Sequence, residues 1–457
     1  MQNIYDEVFS LDQRCYTEFH LTEDLLMEHA AQGMAHYIRK HFTSKSSIII
    51  VVGSGNNGAD GLALARLLHE EYKVNIYFAK EPKSPMAKLQ YQRTQALNIP
   101  IIKTLFTPDI IIDAVVGTGF YGSFTQELQE LFQNLKKLTS FFIACDVPSG
   151  YALEVDVTLT MGALKKELFL DKHKDKVGSI EVIDLGINRK IYEHTTNWHL
   201  LELQDLQLPH RHKHNTHKGS FGHLVVISGE KIGASVLCAN ASLRFGTGLV
   251  TLIGFEDEKK VLLPYSLMYA HTLPSNTTAV ACGMGLGANF TQEELQKLLP
   301  HNIPLILDAD ILTNPFIKEL LQRKNLIITP HPKEFITLLK HLNLADISIE
   351  ELQNNRFKYV ELFSKQFLHV TLLLKGANVI ITHQGEFYIN PHGNAKLAKG
   401  GSGDVLTGLI SALVAQGYSL KDATVHASLT HTILAQNYSG TDFSLTPEDL
   451  IAGIGKL

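Results

Sequence analysis

The chain carries carboxylates and glycines where apolar runs end, the placement expected of a site for anionic, nucleotide-like ligands. Gly53-Ser-Gly55-Asn56-Asn57-Gly58 is a literal G-x-G-x-x-G after the apolar Ser47–Val52. Its backbone N–H groups could meet an anion at the start of the next helix. A hydride-transfer fingerprint would need an acid about 20 residues on, closing the second strand, to hold the ribose. That strand instead ends Tyr77-Phe78-Ala79-Lys80. The loop offers Asn56, Asn57 and Asp60. Two more runs end alike: Asp113 leads into Gly117-Thr118-Gly119-Phe120-Tyr121-Gly122-Ser123, and Asp146 into Val-Pro148-Ser149-Gly150. Singly, a buried Asp is more often a cap. Three strands ending in Asn or Asp at one edge, with no Arg or Lys nearby in sequence, point to a cation held by oxygen ligands.

A second set lies further along the chain. Lys399-Gly400-Gly401-Ser402-Gly403-Asp404 precedes the apolar VLTGLISALVAQ. Successive glycine N–H groups before a helix form an anion hole, and an Asp at the helix start can accept a proton from a hydroxyl attacking a phosphoryl group. By itself this Asp could equally be an N-cap. Leu307-Asp308-Ala309-Asp310, Thr329-Pro-His331-Pro-Lys-Glu334, Leu374-Lys375-Gly376-Ala377-Asn378 and Gly283-Met-Gly285-Leu-Gly287 all follow apolar strands and favour the phosphoryl-transfer reading.

Alternating strands and helices must position these groups. Thr22 reads as an N-cap, with Glu23 and Asp24 in the first turn and Leu25, Leu26, Ala30, Met34 and Ile38 at helical spacing. The pattern predicts strands at 47–52, 74–78, 110–116 and 141–145. Helices are expected up to about residue 72 and over 85–97 and 125–138. Short strands that are apolar throughout suit a parallel sheet covered on both faces. At Leu203–Phe221 the alternation breaks in LPHRHKHNTHKGSFG and restarts at His223. The expected domains are therefore residues 1–205 and 206–457. His210, His212, His214 and His217 in this linker could bind a metal, but no Cys or carboxylate completes a set, so a solvated connector is the favoured reading.

With 457 residues, 45% of them hydrophobic, the chain is long enough for two to three domains. A net charge of −5 argues against nucleic acid or an anionic membrane as partner. Cys15, Cys145, Cys238 and Cys282 form no C-x-x-C motif. No leader pattern and no apolar run of ~18–20 residues is present, so a reducing cytoplasm is the expected compartment.

The loops GSGNNGADG, DAVVGTGFYG and DVPSG together resemble the YjeF N-terminal, NAD(P)H-hydrate epimerase family, as does Leu26-Met27-Glu28-His-Ala30. This resemblance covers about residues 1–197. It implies that Asn56, Asn57, Gly58, Ala59, Asp60 and Gly117–Ser123 line a substrate site, and that Asn57, Asp113 and Ser149 hold potassium. Asp146 would contact the substrate, and Lys80 lies where some relatives carry a functional lysine. Over about residues 210–457, HKGSFGH, GASVLCANASLRFGTGLVTL, GMGLG, LDAD, HPKE, KG and GGSGD resemble the ribokinase-like superfamily. Within it they are most similar to the NAD(P)H-hydrate dehydratases.

That second resemblance implies that Ala234, Gly285 and His331 contact the hydrated nucleotide. Lys375, Gly376, Ala377, Asn378, Val379 and Gly403 would bind an adenine nucleotide, and Asp404 would be the catalytic base. The chain departs from the family pattern in GADG, GMGLG, HPKE and Val379. Two three-layer αβα domains are implied, a Rossmann-like one followed by a ribokinase-like one. Together they would epimerise R- and S-NAD(P)HX and dehydrate the S form. The second step would use ADP with magnesium and yield AMP and phosphate, in a homo-oligomeric protein. Two alternatives stay open: a small-molecule, vitamin-precursor kinase in the second half, and a non-catalytic interaction module in the first.

Overall fold

The structure is a computed structural model that describes residues 1–120, 122–254, 264–287 and 290–457. The chain divides into two compact units, Asn3–Thr196 and Asn197–Leu457, the latter joined by Met1–Gln2.

In the first unit the sheet is parallel throughout. Its order is Ile101–Ile102, Lys73–Phe78, Ser47–Val52, Ile110–Ala114, Phe141–Cys145, Val157–Met161, Ser179–Ile183. The central strands are buried on both faces, as their unbroken Ile and Val content requires. The helix Asn56–Leu68 follows the first long strand directly. The helix Glu23–His41 starts at Thr22, whose hydroxyl accepts from the Leu25 N–H. Leu26, Ala30, Met34 and Ile38 are buried, whereas Leu25 is exposed. The inward stripe therefore runs through Met27 and Ala31 rather than through Leu25. The strand expected over 110–116 stops at Ala114, because the Asp113 carboxylate accepts from the Val115 N–H and turns the chain. A short strand, Leu164–Lys165, pairs in parallel with Gln2–Tyr5, matching Tyr5 with Lys165.

The second unit has a larger sheet. Met268–Ala270, Leu249–Ile253, His223–Ile227, Ala279–Cys282, Leu305–Leu307, Leu326–Ile328 and Val370–Leu374 run parallel in that order. Val379–His383 and Glu386–Asn390 continue it antiparallel, and Trp198–Leu200 lies parallel to Glu386–Asn390. Trp198 stacks on Phe387 at 4.4 Å between centroids, so this strand belongs to the second unit's packing. Helices Ile232–Arg244 and Ser402–Ala415 pack on one another over an apolar core. The linker residues 210–220 are exposed. Among the described residues no group of three or more His, Cys, Asp or Glu has metal-binding geometry, and no helix is long and apolar enough to cross a membrane.

Candidate active sites

In the first unit, three strand ends meet at the start of the helix Asn56–Leu68. Gly53 and Gly58 make this approach possible. A Cβ on Gly53 would lie 1.8 Å from the Val115 carbonyl oxygen, and one on Gly58 would lie 2.1 Å from the Gly53 carbonyl oxygen. Asn57 is buried, and among the described residues neither its amide oxygen nor its nitrogen has a hydrogen-bond partner. Gly117 is its neighbour: a methyl there would lie 3.6 Å from the Asn57 Cβ. Beside them the Ser149 hydroxyl donates to Asp113 Oδ1 at 2.6 Å and accepts from the Val116 N–H at 2.9 Å. The Ser149 N–H donates to Asp113 Oδ2 at 2.8 Å. Burial raises the Asp113 pKa, and the Ser149 bonds offset only part of that. Asp113 and Ser149 are thus bonded to one another, and Asn57 adjoins Gly117, the residue after the Ser149-bonded Val116. An unpartnered amide and a buried carboxylate are a donor set suited to a cation with oxygen ligands.

Asp146 sits on the same edge in a left-handed conformation, φ +68°. Its Oδ1 accepts from Lys165 Nζ at 2.5 Å, the Met161 N–H at 3.0 Å and the Thr160 hydroxyl at 3.3 Å. The expectation that no cationic side chain serves this edge is therefore corrected for Asp146: Lys165 reaches it from 19 positions along the chain, carried by the short strand. Lys80 is exposed and makes no hydrogen bond or ion pair among the described residues.

Further acids face the Asp146 charge. Burial, and then Asp146 itself, push the Asp60 carboxyl well above its ordinary range. Burial also raises Asp12 to about 6, against the hydrogen bond it accepts from the Tyr192 hydroxyl at 2.8 Å. Asn56 donates to Glu23 at 2.6 Å. Next to this edge is a cavity of about 430 Å³ lined by Gly117, Thr118, Phe120, Gly122 and Ser123, together with Gly150, Tyr151 and Glu167. Gly119 lies in the same loop, Ala59 is buried inside the helix, and Tyr121 falls outside the described residues.

In the second unit the chemistry gathers at the helix Ser402–Ala415. Gly401 caps it at φ +89°, and a Cβ there would meet the Pro447 ring at 2.6 Å, so only glycine fits. The buried His431 holds this turn through Ser402 at 3.0 Å. Burial lowers its pKa to about 4, so the ring is neutral. Lys375 Nζ donates to Asp308 Oδ1 at 2.6 Å and would be 3.3 Å from a Cβ on Gly403. The Thr407 hydroxyl donates to Asp308 Oδ2 at 2.7 Å. Asp404, on the first helical turn, has its pKa raised to about 7, first by burial and then by the Asp308 charge, with Lys375 opposing. A carboxylate at that value can take a proton near neutral pH.

His331 caps its own helix, accepting from the Lys333 and Glu334 N–H groups. Burial lowers its pKa, and Lys375 adds to the shift. Burial raises Glu334 to about 7. Ala234 and Gly285 face each other: a Cβ on Gly285 would lie 3.1 Å from that of Ala234. Gly376, Ala377, Asn378 and Val379 follow Lys375 into the next strand, with Asn378 and Val379 buried. A larger open groove of about 910 Å³, between Ile232–Arg244 and Pro447–Gly453, holds none of the residues expected from sequence.

Most of the predicted groups thus lie near the carboxyl ends of parallel strands, where open α/β sheets bind ligands; Lys80 is not drawn in with them. Lys165, Thr160, Asp12, Thr407 and His431 were not foreseen. The only local signal for Lys165 was a lysine within a short apolar segment.

Each site lies at the ligand-binding edge of an α/β unit, and together they define a two-domain nucleotide enzyme. Comparison with known proteins agrees. Residues 224–455 match the NAD(P)H-hydrate dehydratase family model, and residues 23–167 match that of the YjeF-related protein N-terminus. The chain is 39% identical to the bifunctional NAD(P)H-hydrate repair enzyme Nnr of Helicobacter pylori, covering 100% of both chains. It is 32% identical to that of Coxiella burnetii over 93% of this chain and 92% of the other. An ADP/ATP-dependent NAD(P)H-hydrate dehydratase of Bacillus subtilis, crystallised with ATP and magnesium, is 27% identical. The match spans 55% of this chain and 92% of that one, at a TM-score of 0.47. The chain belongs to the bifunctional NAD(P)H-hydrate repair enzyme family.

Proposed function

We infer that the chain repairs hydrated NADH and NADPH in two steps. The first unit interconverts the R and S hydrates, and the second dehydrates the S form at the expense of ADP, leaving AMP and phosphate. The observation that carries this reading is Asp404. It is a carboxyl of pKa about 7 at a glycine-started helix, beside the Lys375–Asp308 pair.

Hydroxide is a poor leaving group. Asp404 accepts the proton of the substrate's ring hydroxyl, whose oxygen attacks the terminal phosphorus of ADP and displaces AMP. The phosphate ester then leaves as the ring nitrogen pushes, and loss of the C5 proton restores the double bond. The Gly400, Gly401 and Gly403 N–H groups and Lys375 would meet the phosphoryl oxygens. Ala234, Gly285 and His331 form the hydrate side, and Lys375–Val379 with Gly403 form the adenine nucleotide side.

Magnesium fits as an ion brought in on the nucleotide's phosphates, the usual arrangement for this metal, with Asp310 and Glu334 as nearby carboxylates. It would supply charge neutralisation there. In the first unit, Asn57, Asp113 and Ser149 would hold potassium, which would balance the buried Asp113 and offer a coordination position to a substrate oxygen. The Asn56–Asp60 and Gly117–Ser123 loops would line the substrate. Asp146 would face the reacting ring, with Lys80 at the outer edge. Two domains that divide between residues 196 and 206, a homo-oligomer and a cytoplasmic site of action complete the proposal.

The test is incubation of mixed R and S hydrates with ADP and magnesium. Recovery of reduced-nicotinamide absorbance with stoichiometric phosphate supports the reading. A stable phosphorylated alcohol would instead make the second unit a small-molecule kinase.

A further inference from the structure

Lys165 is 1% exposed, an unusual place for an ammonium group. A buried charge persists only when paired and fully hydrogen-bonded. Its three protons are all used: by Asp146 Oδ1 at 2.5 Å, the Thr160 hydroxyl oxygen at 2.8 Å and the Met161 carbonyl at 3.2 Å. None is left to donate to a substrate. The Thr160 hydroxyl in turn donates to Asp146 Oδ1 at 3.3 Å, closing a ring of bonds. Every hydrogen bond of the Asp146 carboxylate among the described residues falls on Oδ1, and Oδ2 has none. The backbone of Asp146 is held at φ +68°, a conformation that costs an L-residue energy and persists only where the surroundings enforce it.

We propose that Lys165 is a positioning residue for epimerisation. It holds the Asp146 carboxylate in one rotamer through Oδ1, with Oδ2 directed to the substrate. The assignment rests on the epimerase reading of the first unit. In that reaction a proton from solvent is delivered to the C6 hydroxyl and the C6–O bond breaks, its electron pair leaving with water; the proton later taken by Asp146 returns to solvent. The ring nitrogen lone pair forms a C=N cation. Water then adds to the opposite face and gives its proton to a base, so no oxidant or reductant is needed. The Asp146 carboxylate stabilises the cation and accepts that proton. Asp60, Asp12 and Glu167 also face the Asp146 charge, as do Tyr151, Tyr192 and Cys145. With three acids around it and no second lysine bonded to it among the described residues, Asp146 depends on Lys165 for its charge balance.

The experiment follows both epimers by chromatography in the full chain. Lys165→Met should lower kcat for epimerisation about 10²-fold, the scale of a mispositioned base. KM should stay within about threefold, the acid limb of the pH profile should move upward, and dehydration of supplied S hydrate should be retained. Lys165→Met leaves Asp146 unpaired and could unfold the unit. The double variant Asp146→Asn/Lys165→Met removes both charges, and its epimerisation should equal that of Asp146→Asn alone, because Lys165 acts only through Asp146. A wild-type rate and acid limb in Lys165→Met overturns the assignment, as does a further large loss in the double variant. A wild-type chain that does not interconvert the epimers overturns the epimerase reading itself, and the assignment with it.

Discussion

Replacing Asp404 with Asn tests the dehydration chemistry most directly. The carboxyl has its pKa raised to about 7 by burial and by Asp308. As a single titrating group it is about one tenth ionised at pH 6, half at pH 7 and nine tenths at pH 8. Dehydration by the wild-type chain should therefore rise about tenfold per pH unit below 6 and level off above 8, because the base must be ionised to act. Asp404→Asn cannot take the proton, and its rate should fall ~10²–10⁴-fold at pH 8.

The same shift has a stability consequence of known sign. A carboxyl whose folded pKa exceeds its unfolded value of 3.8 binds its proton more tightly in the folded state. It therefore lowers stability as pH rises from about 4 through about 7. Asp404→Asn should melt higher than wild type at pH 8, and the gap should close by pH 4. The assays are phosphate release and reduced-nicotinamide absorbance with supplied S hydrate, alongside melting curves at the two pH values. Dehydration within a few-fold of wild type, or a rate flat between pH 6 and 8, would refute the assignment of Asp404 as base.

Three further outcomes are expected. Asp146→Ala should stop interconversion of the epimers while dehydration of the S form continues; equilibration at the wild-type rate would move the chemistry to another group, Lys80 first. Potassium should raise the melting temperature over a large organic cation at equal ionic strength, and Asp113→Asn should abolish the difference; identical melting of the wild type in both salts would remove the ion from the Asn57–Asp113–Ser149 cluster. Gly53→Ala should destabilise the first unit by ~1–3 kcal/mol, the usual cost of forced overpacking, because its Cβ would lie 1.8 Å from a carbonyl oxygen; denaturant melts of the variant and wild type measure it, and equal midpoints would refute the close approach.

The local motifs were legible in the sequence because each is a continuous stretch whose chemistry depends on one strand end and the loop after it. Gly53–Gly58, Asp113, Asp146–Gly150 and Gly401–Asp404 needed no distant partner to be noticed, and alternating apolar runs sufficed to place them on strand and helix ends. What the tertiary structure decided is which charges meet. Lys165 lies beside Asp146 because Leu164–Lys165 pairs with the N-terminal strand. Asp308, Lys375 and Thr407 converge from a strand end, a second strand end and a helix. Leu25 shares the helical period of its neighbours and still faces outward, because the angle of the buried stripe is set by what packs against it. The pKa of Asp404 belongs to this second class. Spacing places a carboxylate at a helix start, but burial and the field of Asp308 exist only once distant segments have closed over it.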